Sequence, residues 1–260
     1  MIDINLIRSY FPGTIRNNAA FDKHMLKEYL QLMILDFISS STYAGKLCFI
    51  GGTNLRLVYG IDRFSEDLDF DCKDMTKEDF MNMTDDILVF LRKNDLNVET
   101  RDRENPKLTA YRRNLYFPGL LFEMKLTGHK EERFLIKIEA QDQGVNYRTE
   151  VVDVKSCGFF FPIQAPPKEV LCAMKVSALL SRAKGRDFYD SMFLLSQVMP
   201  DFIFLKKRAG IGSIDELKAA IGDMLARTDF ASKSKDFEHL LFNSTNCSKI
   251  LRFKEFVDSL

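Results

Sequence analysis

FIGGTNLRLVYGIDRFSEDLDFD, residues 49–71, is the stretch on which the fold turns. It opens on an apolar run that stops at Gly51-Gly52-Thr53. Thirteen residues separate Thr53 from Asp67, where carboxylates begin to alternate with apolar residues as Asp67, Leu68, Asp69, Phe70 and Asp71. Period-two alternation is strand geometry, in which residues i and i+2 share a face. Asp67 and Asp69 are therefore expected side by side, as oxygen ligands for hard divalent cations. A glycine pair lets backbone N–H groups approach an anion closely, because no Cβ intervenes. Together the two features suggest chemistry on a nucleoside triphosphate.

Working outward, Phe21–Ser39 has apolar residues spread widely around a helical pattern, which predicts a helix buried on much of its surface. Residues 46–50 read as a short buried strand, and Asn54–Tyr59 as one or two helical turns ended by Gly60. Arg63–Asp71 is the second strand. Thr76 and Asp79 predict a capping box ahead of a helix with Phe80, Met83, Ile87, Phe90 and Leu91 on its apolar face. A strand at 96–101 is followed by a polar loop through Asn105-Pro106. A hairpin is expected from strands at roughly 114–126 and 133–140, and irregular chain with strand fragments fills 143–158. The composition changes at Pro162, and beyond Pro166-Pro167 the pattern is helical. Helices are expected from Pro167 to about Arg182, from 188 to 198, from Ser213 onward, and in shorter pieces at 234–242 and 247–259. The expected division is a first domain at 1–161 and a helical domain at 162–260.

Four further sites could carry chemistry. Glu139 is a lone acid on an otherwise apolar strand and is the candidate third carboxylate, as metal ligand and as base for an attacking hydroxyl. Glu123 is the alternative, and a cross-strand ion pair with Lys125 or Lys137 is the plainer reading of either. Lys175 interrupts an apolar helical line between Leu171 and Leu179, so it either snorkels to solvent or meets a polar group such as a triphosphate. Arg182, Lys184 and Arg186 add positive charge, or simply complete a helix end. Asp187 and Asp190 suit a capping arrangement as N-cap and N3 as well as a site. For Asp67 and Asp69 the plain reading is a solvated acidic turn.

Bulk composition bounds these readings. With 46% hydrophobic and 28% charged residues, 260 residues can bury a substantial core. A formal net charge of zero gives no global field for nucleic acid, so a polyanion must meet a local patch. Five scattered cysteines without CxxC spacing read as reduced core thiols, and three isolated histidines give no zinc signature. The N-terminal sequence lacks the pattern of a signal peptide, and no apolar run reaches membrane-spanning length, so a cytoplasmic location without membrane partners is expected.

Three pieces together, FIGGTNLRLVYGIDRFSEDLDFD, the acid of LIKIEAQ, and EVLCAMKVSALLSRAKGRDFYDSMFLL, resemble the AbiEii/AbiGii toxin family of nucleotidyltransferases. The resemblance spans about residues 25–200. It implies an α+β protein: a polymerase-β-like nucleotidyltransferase domain with a mixed sheet, then a helical domain. It implies Mg²⁺-dependent transfer from an NTP to an RNA acceptor such as the tRNA 3′ end, or to a protein. It also implies the toxin role in a two-gene abortive-infection system, with a cognate antitoxin. Residue by residue, Gly52 and Thr53, with Gly51 beside them, would hold the triphosphate. Asp67 and Asp69 would hold two Mg²⁺ ions, with Glu139 placed by strand pattern. Lys175 would contact phosphate, and Arg186 and Asp187 would form an RDxxD signature with Asp190. Two other classes stay open: a non-catalytic nucleotide- or partner-binding protein on the same fold, and another DxD metal-dependent transferase such as a glycosyltransferase.

Overall fold

The alternation in DLDFDC does what its period requires. In a computed structural model that describes residues 2–102 and 109–260, Asp67–Cys72 is a strand with Leu68 and Phe70 buried on one face and Asp67 and Asp69 half-buried on the other. The loop expected around Asn105-Pro106 lies outside the described residues. The strands are β1 (Leu47–Ile50), β2 (Asp67–Cys72), β3 (Glu99–Thr100), β4 (Tyr111–Tyr116), β5 (Leu135–Gln141), β6 (Glu150–Ser156) and β7 (Phe159–Ala165). Five form a mixed sheet in the order β1-β2-β5-β4-β3. Only β2 and β5 run parallel in it; the other neighbours are antiparallel. The fold is thus α+β around a mixed sheet.

The described chain divides into two units. The first comprises Met1–Tyr59, Phe64–Gly144 and Glu150–Ala165. One face of its sheet is apolar, with Leu68, Ile136, Ile138, Ala140 and Leu115 all fully buried. The helix Lys77–Lys93 packs on β4 through its own apolar face, where Phe80, Met83, Ile87 and Leu91 are fully buried. Its start is fixed by the expected capping box: Thr76 accepts from Asp79 N–H, and Asp79 accepts from Thr76 N–H. Such a cap stabilises by about 1 kcal/mol. The helix Asp22–Ser39 is buried around most of its circumference, which is why its apolar residues show no single stripe. Three polar groups buried with it find partners: Asp22 pairs with Arg8, Glu28 accepts both Nε and Nη2 of Arg56, and Gln31 donates to Ser65 O.

Three expectations change here. The strand at 114–126 stops at Tyr116, because Pro118 cannot donate to a ladder and Gly119 turns the chain at φ +74° into a short helix, Leu120–Glu123. β4 and β5 still pair antiparallel, but Glu123 is exposed on that helix and leaves Glu139 as the acid on the sheet. The segment read as irregular is a regular hairpin, β6 with β7, turning at Cys157 (φ +48°) and Gly158 (φ +83°). Two left-handed residues are the favoured two-residue hairpin turn, but a cysteine in the first position hides the signal. β7 runs through Pro162, and the first unit continues to Ala165.

The second unit comprises Pro166–Leu260 with the short segments Gly60–Arg63 and Val145–Thr149. Its longer helices are Lys168–Arg182, Gly185–Leu195, Phe202–Ala209 and Ile214–Leu225. Pro167 is the N-cap of the first, and Ser213 caps the last by accepting from Glu216 N–H. The C-terminal stretch holds two short α-helices, Phe230–Lys235 and Phe253–Asp258, with the 3-10 segments Glu238–Leu240 and Ser244–Arg252 between them, so its breaks differ from the expected 234–242 and 247–259. It nonetheless supplies core: the Phe188 ring meets Phe230 at 5.1 Å and Phe253 at 5.0 Å between centroids.

Candidate active site

The first unit brings Asp67, Asp69, Lys137, Glu139 and Arg112 together on the polar face of its sheet. Register decides which are neighbours. Asp69 stands opposite Glu139 on β5, and Glu139 stands opposite Arg112 on β4. One row along, Asp67 stands opposite Lys137, which stands opposite Asn114. The two rows form an alternating mosaic of charge. Lys137 Nζ lies 2.9 Å from Asp67 Oδ2 and 3.6 Å from Glu139 Oε2. Arg112 Nε donates to Glu139 Oε1. Burial would lower the Lys137 pKa, but Asp67, then Glu139 and Asp69, outweigh it and hold the ammonium above the ordinary lysine range. The plainer ion-pair reading of Glu139 and its placement beside Asp69 therefore coexist.

The glycine turn closes on the same acids. β1 delivers Gly51 at φ +83°, and a Cβ there would come 2.3 Å from Asp69 Oδ2. Only glycine lets the backbone pass so near that carboxylate. Gly51 also begins the helix Gly51–Leu57, in which Gly52 and Thr53 are buried. The Thr53 hydroxyl donates to the backbone carbonyl of Asp67, tying the turn to β2. Asp71 does not end its strand, which continues to Cys72; its carboxylate is buried and accepts from Gln143 N–H.

The donor set suits a hard divalent cation in kind, since Asp67, Asp69 and Glu139 offer carboxylate oxygens on one sheet face. Among the described residues, no three His, Cys, Asp or Glu side chains gather closely enough to hold a metal. Lys137 and Arg112 stand among the acids instead. Neither cation figured among the expected site residues. Lys137 is two residues before Glu139, so the strand period already placed both on one face; Arg112 was hidden by the misplaced start of β4.

The candidates in the second unit fall into two ion-paired groups, one on Asp190 and one on Asp187. Asp190 is fully buried and accepts Nε and Nη2 of Arg63, each at 2.7 Å, and Lys175 Nζ at 2.9 Å. Burial pushes the Asp190 carboxyl up, but the charges of Arg63 and Lys175 prevail and bring it down to about 2. Lys175 is itself buried, so it does not snorkel to solvent. Asp187 is the N3 residue of its helix rather than the N-cap; it accepts from Lys184 N–H and from Nε and Nη2 of Arg182. Arg186 lies half-buried in the same turn. Arg63, far upstream, carried no signal that it would join them.

A glycine turn after a strand, with acids on two parallel neighbours of a mixed sheet, suits a nucleotidyltransferase, and the family comparison shows that class. The chain belongs to the nucleotidyl transferase AbiEii toxin family of type IV toxin–antitoxin systems, whose family model matches residues 34–240. It is similar in structure to MenT4, a nucleotidyltransferase toxin from Mycobacterium tuberculosis H37Rv, with TM-score 0.63 and 17% identity over 100% of this chain and 91% of the other. It is also similar to JHP933 from Helicobacter pylori, with TM-score 0.55 and 18% identity over 91% and 90% of the two chains. A search among curated proteins gave no match. Among the described residues, no helix is long and apolar enough to cross a membrane.

Proposed function

We propose that this enzyme moves a nucleoside monophosphate from an NTP to an acceptor hydroxyl on RNA, with the tRNA 3′ end the first to assay, or on a protein. The observation that carries the reading is the register that sets Asp69 beside Glu139, with Gly51 closed against Asp69. Asp67, Asp69 and Glu139 are the residues that would hold two Mg²⁺ ions, which when bound would offset charge on the triphosphate and the departing pyrophosphate. The Gly51-Gly52-Thr53 turn admits phosphate oxygens to the backbone, and Thr53 keeps that turn fixed to β2. Glu139 takes the proton of the attacking hydroxyl. In the second unit, the Lys175–Asp190 and Arg182–Asp187 pairs are proposed to hold the helices of that unit together rather than to bind phosphate. A cognate antitoxin is the proposed protein partner, consistent with the family's type IV systems.

The test is incubation with each of the four NTPs and bulk RNA, followed by pyrophosphate release and intact mass of RNA and protein. Transfer is expected for the wild type and lost in Asp69→Ala while its circular dichroism stays unchanged. Equal incorporation by that variant would sink the reading. Nucleotide binding without pyrophosphate release would point to the non-catalytic class, and turnover of a nucleotide sugar to a glycosyltransferase.

A further inference from the structure

The Lys137 ammonium stands where a cation for these acids would be wanted. Its nitrogen is 2.9 Å from Asp67 and 3.6 Å from Glu139, and its strand is the one that brings Glu139 beside Asp69. The Lys137 and Asp67 side chains keep 25% and 23% of their surface exposed, so neither is sealed into a core. Three carboxylates on one sheet face repel one another, and a tethered cation relieves that repulsion. A cation on a four-carbon stem can also leave without unfolding the strand.

We infer that Lys137 is an internal counter-cation that competes with the divalent metal for Asp67, so that the nucleotide-free enzyme binds metal weakly. The inference rests on the reading of Asp67 and Asp69 as metal ligands. Lys137 keeps its proton throughout; what changes is its partner. A metal arriving alone must displace the ammonium from Asp67 and face its positive charge nearby. A metal arriving with a triphosphate brings anionic oxygens that can receive the displaced ammonium. Metal and nucleotide would then bind together rather than one after the other. Arg112 meets Glu139 from the β4 side, which leaves the pairing with Asp67 to Lys137.

The test is Mn²⁺ binding followed by the loss of the free-ion electron paramagnetic resonance signal, with and without a non-hydrolysable NTP. Lys137→Met is expected to tighten nucleotide-free Mn²⁺ binding by at least about tenfold, because a unit positive charge within a few ångströms is removed. Lys137→Arg keeps the charge and is expected to bind Mn²⁺ as the wild type does. A lysine that merely supported the fold would, when lost, leave the affinity unchanged or weaken it. Lys137→Gln, which can still donate to Asp67, serves if the Met variant fails to fold. Measurable wild-type binding beside equal or weaker binding by the neutral variants overturns the inference alone. Absence of binding by every protein, with or without NTP, overturns the metal reading and the inference with it.

Discussion

A Cβ added to Gly51 would lie 2.3 Å from Asp69 Oδ2, so these two residues can share the site only while one has no side chain. Gly51→Ala must move the turn or the carboxylate, and it forces φ +83° on an L-residue. Loss of nucleotide transfer by about tenfold or more is expected, with a lower melting temperature. Gly60→Ala is the control: its φ is +72°, but its Cβ would meet nothing within 4 Å. That variant should lose about 1 kcal/mol of stability and keep its kcat. Equal activity losses in the two would show that backbone strain, not the approach to Asp69, matters.

Acid should weaken the second unit through Asp190. Its folded pKa of about 2 lies below the ordinary aspartate value of about 3.9. A depressed carboxylate contributes stability that is fully present above the unfolded value and lost as pH falls through the folded one. The window is therefore about pH 4 down to pH 2, and the contribution about 2–3 kcal/mol. Urea midpoints measured across that window should fall in the wild type. Asp190→Asn leaves Arg63 and Lys175 buried without their carboxylate and should cost about 3–5 kcal/mol at neutral pH.

Ala183 ends its helix in the left-handed region, at φ +45° and ψ +47°. Ala183→Gly removes that strain and should raise stability by about 1 kcal/mol, read as a higher denaturant midpoint. No gain would mean that the turn relaxes in solution.

Thiol reagents should distinguish the cysteines. Cys48, Cys72, Cys157 and Cys172 are buried, and Cys247 is partly exposed. Burial pushes the Cys172 thiol up to about 12 and those of Cys72 and Cys157 to about 11. Under native conditions Cys247 should react first, and full labelling should require denaturant. Rapid labelling of Cys172 would contradict the packing.

Much of this site was legible in the sequence because it follows local rules. Strand period put Asp67 with Asp69 and Lys137 with Glu139, and the capping box at Thr76 and Asp79 was visible from spacing alone. What sequence could not supply was register. Nothing in residues 67–71 says that β5, rather than another strand, lies beside β2, or that Glu139 is the residue opposite Asp69. Arg112 and Arg63 were missed for the same reason: each meets its acid through tertiary placement. The Cys157-Gly158 turn failed differently, since its left-handed backbone is imposed by the hairpin on a residue that does not advertise it.

The parallel pairing of β2 with β5 also has a consequence for how the protein is made. Parallel neighbours need a long crossover, and such non-local contacts form slowly because the intervening chain must be closed first. A growing chain that has completed β1, the glycine turn and β2 holds Asp67 and Asp69 but has no Glu139 beside them. The candidate site comes into being only when β5 has been synthesised and docked. Fragments that stop short of β5 lack the third acid altogether, so degradation from that side removes the assembled site before the glycine turn is touched.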